Sequence, residues 1–204
     1  MRDVVLLLFA LSLSFPCFAQ ATTLVQLRDR CAPTAPLSTL AALIITESDG
    51  NPNAMQIDFP NALLRRWRLP AGTLRLQRQP KDAREAGEWI AYLNARRISV
   101  DVGLMQISTD EAVRRHIRPA ALLDPCTNIR TGWSILEDDY KTEVNHFGQG
   151  QIALQHALSR YNTGDTNRGI DNGYLAQVTA ALRSLSEKRS YDRARIPQVK
   201  GGNQ

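Results

Sequence analysis

The chain has 204 residues, 43% of them hydrophobic, with a formal net charge of +5, which is enough for one domain with a sizeable core. The charge excess lies near the end, where six basic residues (Arg183, Lys188, Arg189, Arg193, Arg195, Lys200) stand against Glu187 and Asp192. A basic chain can meet nucleic acid, anionic lipid or an acidic wall polymer, but no basic groove interleaved with aromatics is present, which excludes the usual single-strand binder.

The chain opens with Arg2 and a run of twelve mostly apolar residues, Val4 to Phe15, followed by the small residues Cys17, Ala19 and Ala21. This is the layout of a secretory signal peptide over residues 1–21, cleaved after Ala19 or Ala21. The run is shorter than the ~20 apolar residues a membrane helix needs. Phe15 and Pro16 stand where a lipoprotein signal wants small residues, so lipidation of Cys17 is not expected. No later stretch is long and apolar enough to span a bilayer. An exported chain meets no nucleic acid. With Cys17 removed, Cys31 and Cys126 remain, and an even count in an oxidising compartment reads as one disulfide. The three histidines are scattered, and no His or Cys stands at ligand spacing, so no metal is expected.

Helical periodicity governs the rest of the chain. Ser38 precedes an apolar helix in which Leu40, Leu43, Ile44 and Glu47 share one face. The least regular stretch is Gln56 to Pro80, with three prolines and five arginines; within it Thr73 to Gln77 is the only strand the pattern predicts. Asp82 to Arg97 reads as a helix with Ala86, Ile90 and Leu93 inward. A long helix runs from about Asn128 on the stripe Ile129, Trp133, Leu136, Tyr140 and Val144. Ile152 to Tyr161 makes another. Asn172 or Gly173 opens the last, with Tyr174, Val178, Ala181, Leu182 and Leu185 in line. The expectation is a mostly α single domain with little β structure over residues 22–185. A specific insertion around 56–97 is too short for a core of its own. A basic, disordered tail occupies residues 186–204.

Glu47 is the residue with the most chemical interest. On the apolar side of its helix a carboxyl is partly desolvated, which disfavours its charged form and raises its pKa. A carboxylic acid still protonated at neutral pH is what glycosidic cleavage requires. A glutamate at a helix end is more often a surface residue, and periodicity alone leaves both placements open.

Four segments bear on the choice. Glu47-Ser48 is followed downstream by Gly103-Leu104-Met105-Gln106, by Asp124-Pro125 ahead of Asn128-Ile129, and by Ala157 with Tyr161-Asn162. Together, in this order and behind a signal peptide, they resemble the soluble lytic transglycosylase family, of lysozyme-like fold. Cys31-Ala32-Pro33, Arg78-Gln79-Pro80 before Glu85-Ala86, and Tyr161-Asn162-Thr163-Gly164 before Asn172-Gly173-Tyr174 look like the branch attached to type IV secretion and conjugation machines. The resemblance spans roughly Cys31 to Leu185.

The resemblance implies a periplasmic enzyme acting on peptidoglycan glycan strands, with type IV secretion components as candidate partners and no cofactor. Glu47 would be the single acid/base, forming a 1,6-anhydro sugar. Ser48, Gly103, Met105, Gln106, Tyr161 and Asn162 would line the groove. Gly103 allows close backbone approach, Met105 a soft apolar wall, and Gln106 and Asn162 paired donors and acceptors. Ordinary glycosidases use a second carboxylate; Asp49, Asp101 and Asp165 lie beside the motifs, Asp101 being the best placed. A lysozyme-like hydrolase and a non-catalytic wall-binding assembly factor are the alternatives.

Overall fold

A computed structural model describes residues 22–58, 74–75 and 78–191. The expected signal peptide, most of the irregular stretch and the last thirteen residues lie outside the described residues. The first helix, α1 (Leu24–Cys31), starts on a capping box in which Thr23 and Gln26 satisfy each other's backbone N–H groups. Helix α2 (Leu37–Ser48) follows, and it buries Leu40, Ala41, Ala42, Leu43 and Ile44. Asp49 ends it in the left-handed conformation.

The chain then forms strands β1 (Met55–Asp58) and β2 (Leu74–Arg75) and helix α3 (Ala83–Asn94), capped by Asp82. Strands β3 (Ser99–Val102) and β4 (Ile107–Ser108) come next. Helix α4 (Thr109–Arg114) is capped by Ser108, and a 3₁₀ turn spans Pro119–Leu123. The long helix α5 (Pro125–Phe147) opens on Asp124, whose carboxylate accepts from Thr127 N–H at 2.8 Å, with Pro125 at the first helical position. Helix α6 (Gln151–Thr163) stops at Gly164, φ 70°. A single turn, α7 (Arg168–Asp171), leads to α8 (Tyr174–Tyr191).

The molecule is mostly helical, as the periodicity predicts. Helices α5 and α6 pack as an antiparallel hairpin, α8 packs on α2 and α6, and α1 packs on α5. Most of the large buried apolar side chains belong to one core cluster. Leu40 and Leu43 of α2, Ile90 of α3, Val100 and Val102 of β3, Ile129 and Leu136 of α5 and Val178 of α8 all lie in it. Ala86, Ile90 and Leu93 place α3 in that same core, while Trp89 beside them stays 39% exposed. The Cys31–Cys126 disulfide ties the end of α1 to the first turn of α5.

Two expectations need correction. Strand structure is not confined to residues 73–77: β2, β1, β3 and β4, in that order, form an antiparallel sheet. And α8 runs on through Tyr191, so the first residues of the expected tail are helical. Glu187, Lys188 and Arg189 are good helix formers and prolong a helix already nucleated by its packed first turns.

Candidate active site

Glu47 sits in the last turn of α2 with part of its surface facing a groove. Two neighbouring cavities, of about 770 Å³ and about 290 Å³, make up the groove, and Glu47, Gln56 and Gln106 line both. The two stretches of groove therefore meet at this carboxyl. Its Oε1 accepts a hydrogen bond of 2.5 Å from the Tyr174 hydroxyl. Tyr174 is 5% exposed and reaches the carboxyl from the first turn of α8, 127 residues along the chain. Burial pushes the Glu47 carboxyl up from 4.5 to about 7; the Tyr174 bond pulls the other way, and the nearby Asp101 charge adds to the rise. A carboxyl poised there holds a proton near neutral pH and can both give and receive it. Burial likewise pushes Tyr174 and Tyr161 well above the ordinary tyrosine value, so both remain neutral donors.

The loop after β3 carries the next residues. Gly103 has φ +82°, which favours glycine. A Cβ there would stand 2.8 Å from Asn128 Cγ and 2.9 Å from the Leu122 carbonyl. The close approach that needs a glycine is thus toward the start of α5, not toward a ligand. Asn128 is wholly buried. Its amide donates to the Val102 and Leu122 carbonyls at 2.8 and 2.9 Å and accepts from Met105 N–H at 2.8 Å. This side chain, named only as part of a motif in the sequence, pins the whole loop.

Met105 does not form a groove wall. Its side chain is fully buried, packed where Gly132 of α5 leaves room: a Cβ on Gly132 would come within 2.7 Å of the Met105 sulfur. Its backbone is what serves the site's framework: besides the N–H given to Asn128, its carbonyl accepts from the Tyr161 hydroxyl at 2.7 Å. Gln106, at φ 46°, directs its amide N–H groups to the Gly103 and Ala54 carbonyls at 2.9 and 3.1 Å. That leaves its amide oxygen as an acceptor for the groove. Ser48 lines the smaller cavity; its hydroxyl lies 2.9 Å from the Leu104 carbonyl and 3.1 Å from that of Ile44, which stitches the end of α2 to the loop. Tyr161 and Asn162 line the larger cavity. The Asn162 amide oxygen accepts from Asn172 at 3.0 Å, which leaves its N–H groups to donate.

The three other aspartates fall in different places. Asp49 caps α2 and lines the smaller cavity. Asp165 accepts from the backbone N–H groups of Asn167 and Arg168, both at 2.9 Å, which holds its carboxyl below the usual range; it shapes the entry to α7. Asp101 lines the larger cavity with Glu47. Arg160, which lines the same cavity, lies 3.4 Å from both Asp139 and Glu143, and burial raises Asp139 to about 6 against the pull of Arg160. Tyr174 is the residue that sequence reasoning missed, because its place in an apolar stripe reads as core. Among the described residues no three His, Cys, Asp or Glu side chains converge as a metal site would, and no helix is long and apolar enough to cross a membrane.

By sequence, the chain is similar to known proteins. The chain is 32% identical over 156 residues to "Protein virB1" of Rhizobium radiobacter. It is 32% identical over 161 residues to "Type IV secretion system protein virB1" of Brucella abortus. Each alignment covers 76% of this chain, and the chain spans 59% and 62% of those relatives' lengths. No solved structure gives a significant match. The model of the Transglycosylase SLT domain matches residues 27–177. That span runs from α1 into α8 and takes in Glu47, the Gly103–Gln106 loop, Asn128, Tyr161 and Tyr174, so the chain belongs to the Transglycosylase SLT domain family.

Proposed function

We propose that this protein is a periplasmic peptidoglycan lytic transglycosylase. It cleaves the β-1,4 bond between N-acetylmuramic acid and N-acetylglucosamine and leaves a 1,6-anhydro end, opening the wall locally for a secretion or conjugation apparatus. The observation that carries the reading is Glu47: a carboxyl raised to about 7, in a groove that continues on both sides of it. A polymer threaded through such a groove meets the acid in mid-chain.

Glu47 first protonates the glycosidic oxygen, then takes the proton of the muramoyl C6 hydroxyl as that oxygen closes on C1. Ring closure is intramolecular and gains from proximity, so no water has to be bound and activated. Gln106, Tyr161 and Asn162 hold the sugars; Ser48, Gly103 and Met105 keep the loop and α2 in register. The type IV secretion setting is carried over from the virB1 relatives.

Asp101 in the same cavity favours one second reading, a lysozyme-like hydrolase in which that carboxylate activates water. Digesting purified peptidoglycan and weighing the fragments separates the two. Products one water lighter than hydrolysis products are expected; reducing ends would show hydrolysis. Glu47→Gln keeps shape and hydrogen bonding but cannot deliver the proton. It is expected to abolish turnover while leaving glycan binding intact, and full activity in that variant would remove Glu47 from the mechanism.

A further inference from the structure

Four polar residues stand in register across the sheet, Arg75 of β2 being the partner of Gln56 on the side away from Asp101. Asp101 of β3 is the register partner of Gln56 on β1 and of Ser108 on β4. Side chains alternate between the two faces of a strand. Val100 and Val102 are completely buried, while Ser99 and Asp101 keep partial exposure. The sheet thus sends its valines into the core and turns Gln56, Asp101 and Ser108 toward the larger cavity, which all three line with Glu47. The two carboxylates come from different elements, α2 and β3. Their relative position is fixed by the Ser48–Leu104 bond and by Gly103 N–H donating to the Ala54 carbonyl at 2.8 Å.

We propose that Asp101 is the second carboxylate of the site, its charge facing the sugar whose glycosidic bond Glu47 breaks. This rests on the reading of Glu47 as acid and base. In the first step the C1–O bond breaks, its electron pair leaves with the oxygen, and that oxygen takes the Glu47 proton. Positive charge then develops on C1 and the ring oxygen. In the second step O6 bonds to C1 and its proton returns to Glu47. No proton moves to or from Asp101. It supplies a fixed negative charge where positive charge develops, an effect that is strongest in a site shielded from water.

The same charge disfavours ionisation of Glu47 and helps to keep its proton in place until transfer. Among the described residues, the other ionisable groups near Glu47 are the Tyr174 hydroxyl on α8 and the Tyr161 ring on α6, both neutral, with Asp49 just beyond the end of its own helix. The cavity lining also holds Glu111, Asp138 and Asp139, paired with Arg114, Arg115 and Arg160. Among these carboxylates, Asp101 is the one whose charge acts on Glu47.

The test is glycan cleavage by the whole chain carrying Asp101→Asn, followed on both sides of neutral pH. The expected result is a fall in kcat of about 10²-fold, little change in KM, and an alkaline limb moved to lower pH, because Glu47 loses a repelling neighbour. Asp101→Glu keeps the charge and is expected to keep the limb in place. A kcat within about twofold of the parent, or a limb that does not move, overturns the proposal. Should the Asn variant fail to fold, the unsubstituted protein decides. The ¹³C signal of the Glu47 carboxyl is expected to show a second, acidic inflection as Asp101 protonates, and its absence is equally fatal. These outcomes are separate from the product analysis. Anhydro ends from the parent with a silent Asp101→Asn leave the lyase reading standing and remove Asp101 alone.

Discussion

At the scale of single residues, the acid costs the fold stability. A carboxyl held at about 7 when folded and 4.5 when unfolded resists ionisation in the native state. Its contribution is fully favourable below about pH 4.5 and is lost as pH rises through about 7, a swing of about 3 kcal/mol. Glu47→Gln carries no charge at any pH. It is therefore expected to match the parent near pH 4 and to exceed it by about 3 kcal/mol at about pH 8, as read by urea denaturation at the two values. Tyr174→Phe removes the hydrogen bond that favours the ionised acid. The Glu47 value should rise further, moving the alkaline limb of activity to higher pH, opposite to the shift expected for Asp101→Asn. Turnover should fall about tenfold from lost orientation, while the fold, with the ring still in place, changes little. Glu47 was legible in the sequence because the helical repeat puts it in line with Leu40, Leu43 and Ile44 and the Glu47-Ser48 segment stands in order with the other motifs; the repeat alone left a surface placement open. Tyr174 was not, because the stripe that places its ring in the core says nothing of what its hydroxyl meets across the molecule.

At the scale of elements, the loop from Gly103 to Gln106 depends on one buried amide. Asn128→Ala leaves the carbonyls of Val102 and Leu122 and the N–H of Met105 without that partner, and is expected to cost about 3 kcal/mol. Asn128→Asp should fare no better, since a carboxylate cannot donate to two carbonyls. Denaturation midpoints check both, and glycan turnover should drop with them as Gln106 loses its support. The longer helices were readable from their 3.6-residue repeat, although the long one begins at Pro125, a turn ahead of the stripe that announced it. The sheet was not. Only β2 (Leu74–Arg75) falls within the one strand the pattern predicts, Thr73–Gln77; β4 has two residues, too few for alternation to register, and Ser99–Val102 alternates over four residues inside a stretch that reads first as a motif. Met105 misled for a different reason: a motif position tells that a side chain matters, not which way it points, and the hole it fills is made by Gly132 on another helix.

At the scale of the whole molecule, the Cys31–Cys126 link closes a loop of 95 residues, and both ends border segments that carry the site. In the chain-entropy account this stabilises by about 4–5 kcal/mol. Reduction under native conditions is expected to lower the thermal midpoint and to be slow, since Cys31 is 4% exposed; thermal scans with and without reductant measure it. One consequence of the Glu47–Tyr174 hydrogen bond belongs to folding time. Helices form from neighbours along the chain, whereas this contact joins residues 127 positions apart, and closing such a loop comes late. The full surroundings of the carboxyl, the burial that raises its proton affinity and the Tyr174 bond that tempers it, are complete only when α8 has docked on α2. During refolding, helical circular dichroism should therefore recover ahead of glycan cleavage. A chain still being assembled carries the glutamate but not the acid.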